Sequence, residues 1–87
     1  MKNWARTTSD GTEYTVQEVA FEYDLHAFEI LLNEEVVTTI YPCDIDAMKN
    51  MIDDLENGAN PIEDSWEDGL GNSCASLFYD KTNDIEL

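Results

Sequence analysis

Along the first half of the chain, apolar and polar residues alternate with a period of two. Residues 26–33 (HAFEILLN) and 34–41 (EEVVTTIY) are two β-rich runs. In the first arm Ala27, Glu29 and Leu31 share one face, and Phe28, Ile30 and Leu32 share the other. In the second, Val37, Thr39 and Tyr41 alternate against Val36, Thr38 and Ile40. The runs meet near Asn33-Glu34, and asparagine tolerates the positive φ of a tight turn, so a β-hairpin is predicted. The face carrying Phe28, Ile30 and Leu32 is the core candidate. Upstream, Trp4 to Thr8 precedes Ser9-Asp10-Gly11-Thr12, a turn signature. From Glu13 to Tyr23, Tyr14 and Val16 alternate with polar residues, and the phase then moves to Val19, Phe21 and Tyr23. A strand with a bulge explains the slip. Helical spacing of Val16, Val19, Ala20, Tyr23 and Ala27 leaves a helix as the alternative, but aromatic and β-branched content favours the strand.

Pro42 ends this pattern, because it cannot donate to a ladder. The period then changes. Ile45, Met48, Ile52 and Leu55, with Met51 beside them, form one stripe at helical spacing. Asp44 is a suitable N-cap, with Cys43 its competitor, and Gly58 suits the C′ position, so a helix is expected over about 45–57. Residues 59–72 contain Pro61, Gly69 and Gly71 and read as an irregular loop. Residues 72–79 read as a last short strand, with Cys74, Ser76 and Phe78 on one face and Ala75, Leu77 and Tyr79 on the other. Residues 80–87 read as a frayed tail. The fold class expected is α+β, a small antiparallel sheet of three to five strands packed against one main amphipathic helix. Residues 1–87 then make a single acidic domain.

Charge changes this picture. Twenty acids stand against four bases, a formal charge of −16, while 43% of residues are apolar. The apolar fraction fits a folded chain, not a disordered one. Such charge opposes compaction, argues against direct binding of nucleic acid or an anionic membrane, and favours basic partners. The first residues contain no apolar signal-like core and no run is long enough to span a membrane, so a cytoplasmic location is expected, in a host cell if the gene is phage-borne. Cys43 and Cys74 read as buried thiols, with a bridge between them as the alternative.

Between Asp44 and Asp68 lie nine carboxylates and one base, Lys49. Asp46, Asp53 and Glu56 repeat a charge along one side of the expected helix, where residues three and four apart are about 5–6 Å from one another. Such a row can meet Arg and Lys side chains that are spaced to grip phosphates, since Arg pairs with carboxylate as it does with phosphate. A solvated face that keeps a small protein soluble is the competing reading. The loop Glu63-Asp64-Ser65-Trp66-Glu67-Asp68 sets one aromatic among four acids. Trp66 is either folded into the core or an interface anchor inside a charged rim. The candidate partner-binding set is Asp46, Asp53, Asp54, Glu56, Glu63, Asp64, Trp66, Glu67 and Asp68. No catalytic residue and no metal ligand is assigned. The acidic loop lacks the register of a calcium loop, the single histidine, His26, has no nucleophile set beside it, and no glycine-rich phosphate loop occurs. The expectation is a protein without cofactor that is not an enzyme.

The run Asn57-Gly58, Pro61 and Trp66-Glu67-Asp68-Gly69-Leu70-Gly71-Asn72 looks like a segment of small mobile-element proteins. As a short, acidic, single-domain chain with a small sheet and an acidic helix, the whole sequence resembles the DNA-mimic type of anti-CRISPR protein from phages and mobile elements. The resemblance implies an inhibitor that seats its acids in the positively charged nucleic-acid groove of a CRISPR effector nuclease, or of a surveillance-complex subunit, and blocks target DNA. An immunity protein that neutralises a basic nuclease toxin is the alternative, and an acidic phage-particle protein a third. Homodimer formation is left open.

Overall fold

The structure, a computed structural model, describes residues 1–85. Four strands, β1 (Asn3–Thr7), β2 (Glu13–Glu22), β3 (Leu25–Leu32) and β4 (Glu35–Ile40), are followed by α1 (Ile45–Glu56) and α2 (Cys74–Ile85). The sheet is an antiparallel meander in the order β1-β2-β3-β4. Trp4, Tyr14, Val16, Phe28, Ile30, Leu32 and Ile40 bury one face of it. Met48 and Leu55 of α1, Ile62 of the following loop, and Cys74 and Phe78 of α2 cover that face. Packing places α1 over β3 and α2 over β4. The opposite face, with Thr15, Gln17, Glu29, Leu31 and Thr39, carries no second layer among the described residues. No helix of the described residues is long and apolar enough to cross a membrane.

The strand reading of residues 13–23 holds, but the slip lies elsewhere. Glu18, not Val19, continues the inward face of Tyr14 and Val16, and the register breaks only between Ala20 and Glu22. A carboxylate is tolerated inside because it is fully engaged. Glu18 accepts from the Lys2 backbone N–H at 3.1 Å and pairs with His26 Nδ1 at 2.5 Å. Burial pushes its carboxyl up, but the bonds from His26 and Lys2 outweigh this and hold it below the usual carboxylate range. Phe21 is left exposed against Tyr41, ring centroids 5.0 Å apart, and Tyr23 is fully exposed in the β2–β3 turn.

The β3–β4 hairpin forms as the alternation predicts, with Phe28, Ile30 and Leu32 inward. Its two turn residues, Asn33 and Glu34, both take positive φ, 54° and 70°. That is the conformation whose twist matches the strands on either side. A second register shift, between Ile30 and Leu31, leaves Val37 unpaired.

Helix α1 starts as expected, with the Asp44 carboxylate accepting from the Ala47 N–H at 2.7 Å. It ends at Glu56 with Asn57 as the C-cap, and Gly58 lies beyond at φ 97°. The last segment departs from expectation. Residues 74–85 are a helix, not a strand followed by a frayed tail; residues 86–87 of that tail lie outside the described residues. Among the described residues the architecture therefore has two helices instead of one main helix. Cys74 and Phe78, one turn apart, face the core, whereas Ser76, placed with them by a period of two, is exposed. Eight residues fit either period; only the continuation through Lys81 and Ile85 separates them. Phe78 packs edge-on to Tyr14 at 5.3 Å and to Tyr79 at 5.6 Å. Both cysteines are free. Cys74 is buried, which pushes its thiol up to about 11, but Cys43 is exposed at the mouth of α1, contrary to the reading of two buried thiols.

Phe78→Ala should cost about 3–5 kcal/mol in urea unfolding. Ser76→Lys, on the solvent side of α2, should stay within about 0.5 kcal/mol of the parent; comparable losses at both positions would return the segment to a strand. Replacing Glu34 by glycine should raise stability by about 0.5–1 kcal/mol, because positive φ costs a side chain more than glycine's added chain entropy. The midpoint of the same transition reads this change.

Candidate partner-binding surface

Helix α1 presents three stripes. Met48, Ile52 and Leu55 point into or against the core. Asp46, Lys49, Asp53 and Glu56 follow one another at steps of three and four residues along the outside. Ala47, Asn50, Met51 and Asp54 form the third stripe, which meets Trp66 and Glu67 of the long loop. The nine residues expected to bind a partner are divided between α1 and the loop that follows it.

Asp46, Asp53 and Asp54 are exposed, as are Glu63, Asp64 and Glu67. Asp46 and Asp53 flank Lys49, so the outer row is broken by a base and is not a continuous run of one sign. Glu56 is already engaged. Its carboxylate pairs with Lys2 Nζ, and that hydrogen bond holds the carboxyl below the usual range and raises the ammonium. Glu63 accepts from the Ser9 backbone N–H and Asp64 from the Asn60 N–H at 3.1 Å, so both tie down turns while remaining open to solvent.

Asp68 is the clear departure. It is 3% exposed and cannot present its carboxylate to a partner. It accepts from Leu70 N–H at 2.7 Å, from Asn72 N–H at 3.2 Å and from Asn72 Nδ2 at 3.1 Å. The Leu70 bond is the main reason its carboxyl lies below the ordinary value of 3.8. Its backbone carbonyl takes the Tyr41 N–H at 2.9 Å, which fastens the loop to the end of β4. Gly69 permits this approach. A Cβ there would come within 2.5 Å of the Tyr41 carbonyl oxygen, and its φ is 88°. An Asp-Gly-x-Gly-Asn sequence, here Asp68 to Asn72, is a local cap signature, and that is the available sign that Asp68 is structural.

The loop before it is fixed from the sheet. Tyr14, buried in the core, donates its hydroxyl to Asn60 Oδ1 and accepts from the Ile62 N–H at 3.3 Å. Burial pushes its phenol up to about 12. Asn60 Nδ2 bonds the Thr7 carbonyl at 3.0 Å. Arg6, on the same face of β1 as Trp4, reaches over to the C-terminal end of α1. Its guanidinium donates to the Leu55 carbonyl and, at 2.7 Å, to that of Ala59. A cation there suits the negative end of the helix. These bonds hold the residue 59–68 loop beside α1.

As a result Trp66 adopts neither extreme. It packs against the core and is half-buried, and it also forms a wall of an open groove with Ala47, Met51, Asn50, Asp54 and Glu67. The groove measures about 440 Å³. Of the expected set, it unites Asp54, Trp66 and Glu67. Ala47 and Asn50 were not singled out by the sequence and Met51 was placed beside the apolar stripe, although their i, i+3, i+4 spacing with Asp54 at i+7 marks a second face of α1. A larger concavity, about 610 Å³, lies on the open side of the sheet over Ala5, Thr15, Gln17 and Leu31, and contains none of the expected residues.

Comparison with protein-family models, with curated proteins and with solved structures finds no match.

The folded-state pKa of Asp68 is below its unfolded value. Its stabilising contribution is therefore present above pH 3.8 and is lost as pH falls through the folded-state value. Asp68→Asn should be less stable than the parent at pH 7, and the gap should narrow as pH falls below 3.8. Urea midpoints taken stepwise from pH 7 to 3 measure this difference.

Proposed function

We propose that the protein is an inhibitor that inserts its acidic helical side into the positively charged nucleic-acid groove of a CRISPR effector and so keeps target DNA out. The observation that carries this reading is the set of exposed carboxylates on α1 and the loop beside it. Asp46, Asp53, Asp54 and Glu67 make no ion pair with the protein's own bases among the described residues. Four bases are too few to neutralise twenty acids, and an effector groove lined by Arg and Lys offers what the chain lacks. The type of chain, small, acidic and α+β, supports the effector as partner by its resemblance to DNA-mimic inhibitors.

The internal hydrogen bonds of these carboxylates favour a smaller contact set. Asp68 is withdrawn from it, because its carboxylate is spent on its own loop. Glu56 and Glu63 are secondary, because binding would have to compete with Lys2 and with the Ser9 N–H. Asp46, Asp53, Asp54, Asp64, Glu67 and Trp66 remain.

Reversing Asp46, Asp53, Asp54 and Glu67 to Lys should abolish inhibition of effector binding to target DNA in an electrophoretic mobility assay, while circular dichroism remains native. Inhibition by the parent should weaken as salt rises from 50 to about 500 mM, since exposed charge pairs are screened. A fully active reversed variant overturns the acidic side as the contact surface. Neutralisation of a basic nuclease toxin, with no effect on an effector, would replace the CRISPR reading with immunity.

A further inference from the structure

The groove between α1 and the loop differs in kind from the rest of the acidic side. Its apolar lining is made by Ala47, Met51 and the half-buried Trp66. Asn50, Asp54 and Glu67 stand at its rim. The side chains of Asp54 and Glu67 hydrogen-bond no other described residue. The cleft is held open from outside itself, by Arg6 at the end of α1 and by the Tyr14–Asn60 bond beneath the loop. Its volume, about 440 Å³, falls within the roughly 300–1,000 Å³ of small ligand clefts.

An aromatic wall with carboxylates above it selects among cations. A guanidinium is planar, weakly hydrated and able to lie on an indole while it forks to carboxylate oxygens. An ammonium is compact and strongly hydrated, and loses more on entering an apolar cleft. The stem of the side chain matches Ala47 and Met51, since arginine buries its methylenes along apolar surface. We propose that this groove is the seat of one arginine side chain of the basic partner, with its guanidinium against Trp66 and directed to Asp54 and Glu67. This rests on the reading that the partner is basic. It adds that recognition is specific for arginine at one point, while the exposed acids elsewhere respond only to charge.

Hexa-arginine and hexa-lysine peptides, titrated separately into the 15N-labelled full chain, test the proposal. Both are attracted by the net charge. Hexa-arginine should shift the Trp66 indole N–H and the backbone amides of Asn50, Met51 and Asp54, and should bind about two- to five-fold more tightly than hexa-lysine, the range expected of a cation on an exposed aromatic face. Trp66→Leu, which keeps the apolar contact with the core, should remove that preference and leave hexa-lysine binding as it was. The Asp54→Asn, Glu67→Gln double variant, isosteric and on exposed positions, should weaken hexa-arginine more than hexa-lysine. Equal affinities in the parent overturn the arginine seat, as do shifts confined to Asp46 and Asp53, or a preference that survives Trp66→Leu. In each of those cases the parent's effect on an effector's DNA binding remains a separate readout, so loss of the seat and loss of the inhibitor reading are distinguishable.

Discussion

Hydrophobic burial between the sheet and two helices must overcome the self-repulsion of an anionic chain, and a very few cations are placed where that repulsion is closest. Three of the four bases sit at joints between the sheet and the helices. Arg6 of β1 binds the Leu55 carbonyl at the C-terminal end of α1 and the Ala59 carbonyl just beyond it, Lys2 just before β1 pairs with Glu56 of the same helical turn, and Lys81 of α2 meets Glu35 of β4 at 3.0 Å. Each exposed pair is worth little alone. At −16 the helical layer is nonetheless repelled by the sheet's own acids, and the joints are where approach is closest. Hydrophobic burial of Met48, Leu55, Ile62, Cys74 and Phe78 supplies the main attraction, and the bases lower the electrostatic opposition where the layers meet.

The acids divide accordingly into those that build and those that face outward. Asp44 caps α1, Asp68 caps its own loop, Glu18 lies inside with His26, and Glu63 and Asp64 receive backbone N–H groups. What remains on α1 and Glu67 is charge without an internal partner, alongside a cleft whose aromatic wall is half-covered. Net charge on its own does not distinguish these two kinds. Hydrogen bonding does, because a carboxylate that already accepts from several donors has little left to offer a partner.

Most of the sheet was legible in the alternation, because one face must be buried and the period of two then allows little freedom. The hairpin at Asn33-Glu34, the inward set Phe28, Ile30 and Leu32, and α1 with its Asp44 cap could be read directly. The phase was moved to Val19 too early because Glu18 follows Val16 inward; its partners, a backbone N–H at Lys2 and a histidine eight residues away, are tertiary. Residues 72–79 read as a strand because Cys-Ala-Ser-Leu-Phe-Tyr satisfies both periods, and only the continuation beyond Tyr79 separates them. The acidic set was overdrawn for a related reason. Spacing on α1 locates Asp46, Asp53 and Asp54, but the fate of Glu56 and Asp68 is decided by Lys2 and by a glycine turn, neither of which enters a helical count.

The meander has a kinetic corollary. Each strand pairs with its neighbour in sequence, through turns of two residues at Tyr23-Asp24 and Asn33-Glu34 and a short one at residues 8–12. Ladders of that sort close small loops, and chains rich in such local pairings reach the native state quickly. The whole sheet can therefore assemble on the growing polypeptide before α2 has been synthesised. The docking of α1 and α2 onto the sheet is the later, less local step.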